Sequence, residues 1–300
     1  MENTKLVSIG LPIYNGGAQL SKTLDQLLGQ AYPHIELVIS DNASTDNTEA
    51  LCREYAARDK RIVYVRQKEN QGLVKNFFEV LQHASGDFFM WAANDDIRDP
   101  QSIELLLAQL ETYPDCSVAM SGIKRVYDDG AIKDELDYRA QWHTDHLTSE
   151  ETFKRLINDE PLHLFIYGLF RTKQLKRIMK RPWPMCISND RVFMSEIALT
   201  GGFCTIPQIL FTKTASRKKI SERYKHEAWG QVWLNPKAQS IYIKTMLMHA
   251  LTSRAVPFSK KHIILKYWIP IAWRNRRRLL FDMLPMRFIR FGVALKKAIR

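Results

Sequence analysis

Short apolar runs alternate with amphipathic stretches over the first hundred residues, and that alternation sets the expected fold. Leu6–Tyr14, "LVSIGLPIY", is mostly apolar and ends at Asn15, Gly16 and Gly17, the pattern of a buried strand leading into a turn. In "AQLSKTLDQLLGQ", Leu20, Leu24, Leu27 and Leu28 recur at helical intervals. "IELVISD" (Ile35–Asp41) is the next strand, and Thr45, Asp46, Asn47 and Thr48 with Glu49 make a capped start for a helix through Arg58. "RIVYVRQ" supplies a third strand, residues 73–84 a helix, and Asp87–Ala92 a fourth strand. Strands alternating with helices of about a dozen residues predict βαβ units, hence an α/β fold with a mostly parallel, doubly wound sheet flanked by helices. Such sheets bind ligands at the carboxyl ends of their strands, which puts Tyr14 and Asn15, Asp41 and Asn42, and Asn94, Asp95 and Asp96 along one rim.

After residue 113 the pattern loosens into a strand near Ser117–Val126, a hairpin at Asp128, Asp129 and Gly130, and helices near 148–157 and 189–200. No Pro/Gly/Ser-rich linker divides the chain. The expected organisation is one domain over 1–220, in halves 1–115 and 116–220, followed by a helical, basic and aromatic extension over 221–300.

The 300 residues, 45% hydrophobic and 25% charged, describe an ordinary globular protein and exclude disordered and fibrous classes. The net charge of +12 changes the picture only when divided. Residues 1–160 carry 16 Lys and Arg against 27 Asp and Glu, whereas 161–300 carry 28 against 5. An acidic first half argues against a nucleic-acid protein, and the basic half suits a polyanion, an anionic membrane or a diphosphate. Cys52, Cys116, Cys186 and Cys204 are widely spaced with no CxxC, which argues against zinc or a disulfide framework and for free thiols in a reducing compartment. No leader pattern opens the chain and no run reaches the roughly 18 apolar residues of a spanning helix. The expectation is a cytoplasmic protein that touches a membrane without spanning it.

Acidic residues at three strand ends point to a metal and a polar ligand, because Mg²⁺ and Mn²⁺ take oxygen ligands and share them with substrate phosphates. For Asp41 and Asp46 helix capping is the alternative. Asp95 and Asp96, adjacent after the apolar run "DFFMWAAN", repel each other unless a cation or a donor stands nearby, with a solvated turn as their alternative.

"VSIGLPIYNGGAQL", "ELVISDNASTDNT", "NQGLVKNFFEVLQHASGDFFMWAANDDI", "YGLFRTKQL" and "SNDRVFMSEIALTGGFCTIP", in this order over residues 5–215, resemble family 2 glycosyltransferases of the GT-A fold. The resemblance implies a UDP, GDP or dTDP sugar donor and inverting transfer to a hydroxyl of a saccharide or lipid-linked acceptor, in surface polysaccharide or glycolipid assembly. Pro12, Tyr14 and Asn15 match the first nucleotide-contacting loop, Asp41 the acid that reads the base edge, and Asn70 and Gly72 the Asn-x-Gly turn. Asn94 falls within the donor-binding motif. Asp95 matches the second carboxylate of the Asp-x-Asp motif, while Ala93 stands where the first belongs. Asp96 is then expected to share that role, making Asp95 and Asp96 the implied ligands of Mg²⁺ or Mn²⁺. Asp190, in "SNDR", matches the base, with helix capping as its alternative. Arg217, with Lys218 and Lys219, matches a mobile loop that closes over the diphosphate, with a solvated charge run as the alternative.

Ala93 keeps a second class open, a catalytically weak relative that binds nucleotide sugars or scaffolds a partner. A nicotinamide dehydrogenase is disfavoured, since no G-x-G-x-x-G follows the first strand.

Residues 262–300 interleave Trp268, Trp273, Phe281, Phe288 and Phe291 with Arg and Lys, and Asp282 is their only acid. Pro270 and Pro285 are expected to divide them into short helices lying on an anionic membrane, peripheral on the cytoplasmic face of the inner or plasma membrane. A helix pair completing the core and a dimer contact are the alternatives, which leaves a homodimer open.

Overall fold

β1 (Val7–Ile13), buried along nearly its whole length, lies near the middle of the sheet. It pairs in parallel with β2 (Ile35–Asp41) on one side and β4 (Phe88–Trp91) on the other, and β2 pairs in parallel with β3 (Ile62–Arg66). Strands covered on both faces need apolar side chains at successive positions, which is why these segments read as continuous hydrophobic runs. The computed structural model describes residues 5–142, 144–158, 160–180, 183–217, 232, 235, 237–276 and 279.

The connecting helices are α1 (Leu20–Leu28), α2 (Thr48–Arg58) and α3 (Leu73–His83). Gly10 sets the closeness of α3 to the sheet: a Cβ there would lie 2.5 Å from the Phe89 ring and 2.9 Å from Val80. At the carboxyl rim Ile13 is level with Asp41 and Asp41 with Arg66, whereas β4 stops level with Gly10. The segment that follows β4 therefore turns beside the end of β1.

Beyond β5 (Ile97–Arg98) and α4 (Ser102–Thr112) the sheet becomes mixed. β6 (Cys116–Tyr127) runs parallel to the long β10 (Gly202–Ala215), and β9 (Leu169–Arg171) is antiparallel between β4 and β6. The order is β3-β2-β1-β4-β9-β6-β10-β5, with β7 (Ile132–Leu136) on β6 and β8 (His146–Leu147) on β10. The hairpin at Asp128 to Gly130 joins β6 to β7, with Gly130 at φ +82°. α5 (Tyr138–Trp142), α6 (Ser149–Ile157), α7 (Thr172–Ile178) and α8 (Asn189–Thr200) complete this half. The result is the α/β sheet flanked by helices that the alternation predicts, with the parallel part concentrated in β1 to β4.

Alternate residues of the strands feed two cores. Val7, Ile9, Leu11, Phe88 and Met90 pack with α1 and α4 residues such as Leu24 and Leu106. Phe89 and Trp91 pack with α3, α6 and α8, where Trp91 sits edge-on to Phe89, Phe170, Trp183 and Phe193.

The second core continues into α9 (Ala238–Thr252) and α10 (Lys261–Arg274), through Ile243, Met246, Ala250, Ile263, Ile264 and Trp268. Trp268 is buried and its indole N–H donates to the Ile243 carbonyl at 3.1 Å. His249 of α9 lies 2.7 Å from Glu196 of α8, and Lys266 and Tyr267 both reach Glu150 of α6. Two expectations change here. Trp268 faces the core and not a membrane, and Pro270 lies inside α10 without ending it. Proline removes one helical hydrogen bond, and the tertiary packing of Ile263, Ile264 and Trp268 on the inner face holds the helix across that gap. Phe281, Asp282, Pro285, Phe288 and Phe291 lie outside the described residues.

Candidate functional site

Three loops at the rim are tied to one another by amide and hydroxyl groups. Asn15, at φ +51°, accepts the Thr45 N–H at 2.8 Å, and its own N–H donates to Ser44 at 2.9 Å. Asn is among the residues that adopt positive φ at little cost. Asn42 donates to Asn70 at 2.8 Å and accepts the Gln71 N–H at 2.8 Å, and Asn70 also accepts the Gly72 N–H at 2.9 Å. Gly72, at φ +85°, then starts α3. Asn76 of α3 donates to the carbonyls of Ile13 and Ser40, stapling the ends of β1 and β2.

Asp41 is fully buried within this network. Its carboxylate accepts the Ser44 N–H and the Tyr64 hydroxyl, each at 2.8 Å, with Arg66 3.7 Å away. Both oxygens are engaged, one with the loop after β2 and the other with Tyr64 of β3. Burial and the neighbouring Asp41 carboxylate push the Tyr64 phenol above its usual range, so it stays a donor. Asp46 accepts the N–H groups of Gly17 and Thr48, a loop clamp that agrees with the capping alternative.

A cavity of about 530 Å³ opens beside these loops. Pro12 and Leu73 form part of its wall, Ala93, Asn94 and Asp95 come from the turn after β4, Tyr167 from the segment before β9, Asp190 from the start of α8, and Lys213 from β10. Of the residues expected at the site, Pro12, Asn94, Asp95 and Asp190 meet here. Tyr14, Asn15, Asp41, Asn70, Gly72 and Asp96 belong to the surrounding loops. Arg217 points elsewhere: its guanidinium pairs with Asp129 at 2.9 Å and stacks 3.9 Å from the Tyr127 ring centroid. The β6–β7 hairpin presents both an acid and an aromatic face within its reach. Lys218 and Lys219 lie outside the described residues.

Asp190 stands in the first turn of α8, and its Oδ1 accepts the Arg191 N–H at 2.8 Å. A carboxylate is favoured at a helix start, where unpaired N–H groups and the helix dipole are both positive. Ser188, at φ +49°, brings the chain sharply into the helix and lines the cavity with it.

The turn after β4 is fastened to β10. Asn94 donates to the Gly16 carbonyl at 2.8 Å, and the Thr214 hydroxyl donates to the Asp95 carbonyl. Asp96 is buried, with one oxygen accepting the Thr214 N–H at 3.0 Å and the other the Lys213 ammonium at 3.1 Å. The Lys213 nitrogen lies 4.1 Å from the Tyr167 ring centroid. Burial pushes the Asp96 carboxyl up against the pull of Lys213, and burial also opposes the Lys213 charge, yet Tyr167 and Asp96 hold that ammonium above the ordinary lysine value. Beneath them the buried Arg98 donates to the carbonyls of Trp91 and Tyr167, and burial brings its pKa down to about 10, still charged at neutral pH.

Among the described residues no three His, Cys, Asp or Glu side chains gather into a metal cluster. Mg²⁺ and Mn²⁺ are commonly held by one or two carboxylates plus substrate phosphates, and Asp95 fits as the single protein carboxylate. Asp96 does not, since both its oxygens already serve Thr214 and Lys213. Lys213 was missed by sequence reasoning, although "FTKTAS" carried a signal: one Lys within a half-buried strand must find a partner.

The profile described as "Glycosyl transferase family 2" matches residues 8–181, which span β1 to the region after α7. The chain belongs to glycosyl transferase family 2. "Putative glycosyltransferase EpsE" of Bacillus subtilis (strain 168) is 31% identical over 134 residues, 44% of this chain and 48% of that protein. The matched stretch thus spans about half the length of that relative. Among solved structures, S. aureus TarS 1-349 in complex with UDP superposes with a TM-score of 0.62 at 16% identity, covering 87% of this chain and 70% of the other. The mannosyltransferase PcManGT from Pyrobaculum calidifontis, in complex with GDP-Man and Mn²⁺, gives 0.57 at 15% identity, covering 100% and 82%. At these identities the structural likeness establishes a shared GT-A fold.

Proposed function

We propose that this family 2 member transfers a sugar, with inversion, from a nucleoside diphosphate donor to a hydroxyl of a saccharide or lipid-linked saccharide. The observation that carries the reading is the cavity into which Asp95, from the end of β4, and Asp190, from the start of α8, both open. Fold neighbours bound to UDP and to GDP-Man with Mn²⁺ support a nucleotide-sugar donor.

In this reading Pro12, Asn94 and the loops carrying Tyr14, Asn15, Asn70 and Gly72 form the donor side. Asp95 would hold a divalent ion, which would supply charge neutralisation for the leaving diphosphate. The Asp190 carboxylate accepts the proton of the attacking hydroxyl, as inversion requires of one base. A thermal-shift screen of UDP, GDP and dTDP sugars with and without Mn²⁺ tests the donor class, because a ligand of the folded state raises its melting temperature. Stabilisation by one nucleotide family supports the reading; none by any of them, with Mn²⁺ present, sinks it.

The acceptor side also bears on location. Among the described residues no helix is long and apolar enough to cross a membrane. The outer side of α10 and the turn before it expose Phe258 at 90%, Leu265, Ile269 and Trp273 at 66%, with Lys261, Arg274 and Arg276 nearby. Apolar residues recurring every turn or two between cations describe a face that rests in an anionic interface. Vesicles of anionic lipid should retain the protein, and Phe258→Ser with Trp273→Ser should release it; equal retention of that variant removes this part of the reading.

A further inference from the structure

The adjacent acids after β4 do different jobs. Asp95 opens into the cavity, while Asp96 is turned inward onto β10 and holds Lys213. The Lys213 side chain keeps 22% of its surface exposed, and that surface lines the cavity with Asp95 and Asp190. The ammonium is restrained on two sides, by Asp96 at 3.1 Å and by the Tyr167 ring at 4.1 Å. Asp96 is fixed in turn by the Thr214 N–H. An ammonium has three donors, and bonds to Asp96 and Tyr167 leave capacity for one further acceptor. Burying such a pair is expensive, and a well-packed apolar pair would do as well for stability alone.

We infer that Lys213 is a built-in cation for the diphosphate of the donor, with Asp96 as the residue that positions it. The inference rests on the nucleotide-sugar reading above and deepens it. Where Ala93 replaces one carboxylate, the local chain carries one less negative charge, and the neighbouring lysine presents positive charge to the same cavity. A pre-positioned ammonium binds phosphate oxygens without the ordering cost that a free surface lysine incurs. Part of the diphosphate affinity therefore does not depend on a divalent ion.

The test is titration calorimetry in EDTA with UDP, GDP and dTDP, each beside its own nucleoside. The nucleoside diphosphate that the wild-type protein accepts should bind about ten-fold or more tightly than its nucleoside, the increment of one charge-assisted hydrogen bond. Lys213→Met combined with Asp96→Asn removes both charges of the pair at similar volume. It should lose that increment and keep the nucleoside affinity, and Lys213→Arg should retain part of it. The inference falls if the folded double variant keeps the increment, or if wild type shows it only with Mn²⁺, a result that leaves the donor reading standing. If wild type binds no nucleotide even with Mn²⁺, both fall together. The wild-type arm in EDTA can overturn the inference independently of how well any variant folds, and Lys213→Arg beside the double variant assigns the increment to Lys213.

Discussion

The two sides of the cavity are held by different kinds of bond. Where the loops after β1, β2 and β3 meet, most of the ties are neutral: Asn15 to Thr45, Asn42 to Asn70 and Gln71, Asn76 to Ile13 and Ser40. The acids there, Asp41 and Asp46, accept backbone N–H groups, and Asp41 also accepts a phenol with Arg66 3.7 Å away. On the other side the partners are ionic and distant in sequence, Asp96 with Lys213 and Thr214, and Asp190 stands at a helix start. Neutral hydrogen bonds fix shape, which suits a surface that must fit a ligand. Charges held near a cavity create a field, which suits chemistry in which charge moves.

The largest expected effect separates the two sides by function. Asp190→Asn should lower transfer by about 10²–10⁴-fold, the usual contribution of a positioned base, with nucleotide affinity near wild type. Rate measurements beside calorimetry check it, and an active variant removes Asp190 from the mechanism. Next comes the support beneath both sides. Trp268→Ala should cost about 3–5 kcal/mol in denaturant unfolding, because a buried indole is lost from the core that also contains Trp91 and Phe193. A small loss would mean that α9 and α10 stand apart from that core.

Removing a clamp between the loop after β2 and β3 should matter less. Asp41→Ala leaves the Ser44 N–H and the Tyr64 hydroxyl without their acceptor, at about 2–4 kcal/mol, and should weaken donor binding only through loop disorder. The smallest effect concerns pH. Burial opposes ionisation of Glu36, but hydrogen bonds from Ser8, Ser85 and Gly86 prevail and hold its carboxyl below the usual 4.5. A depressed folded value means stability that is present above 4.5 and lost as pH falls through the folded value. Glu36→Gln should flatten that part of the stability profile, read by urea unfolding across the acid range; an unchanged slope would assign it to other carboxylates.

Much of the region around β1, β2 and β3 was legible because its information is local. Leu6–Tyr14 and Ile35–Asp41 announce strands by composition, and Asn15 and Gly72 stand where the turns after β1 and β3 need residues of positive φ. The ionic side was less legible. Nothing in "FTKTAS" says that its lysine will meet Asp96, 117 positions away, nor that Arg217 will pair with Asp129 and Tyr127 of the β6–β7 hairpin.

The C-terminal helices show the same limit. Trp268 and Trp273 look alike in a basic, aromatic stretch, yet one is buried against Ile243 and the other exposed. By itself the sequence determined the α/β alternation, the rim at the strand ends and the motifs that carry the family. Only the tertiary structure decided that Asp95 and Asp96 part ways, one to the cavity and one to Lys213, because long-range pairing of β10 with the turn after β4 assigns each carboxylate its partner.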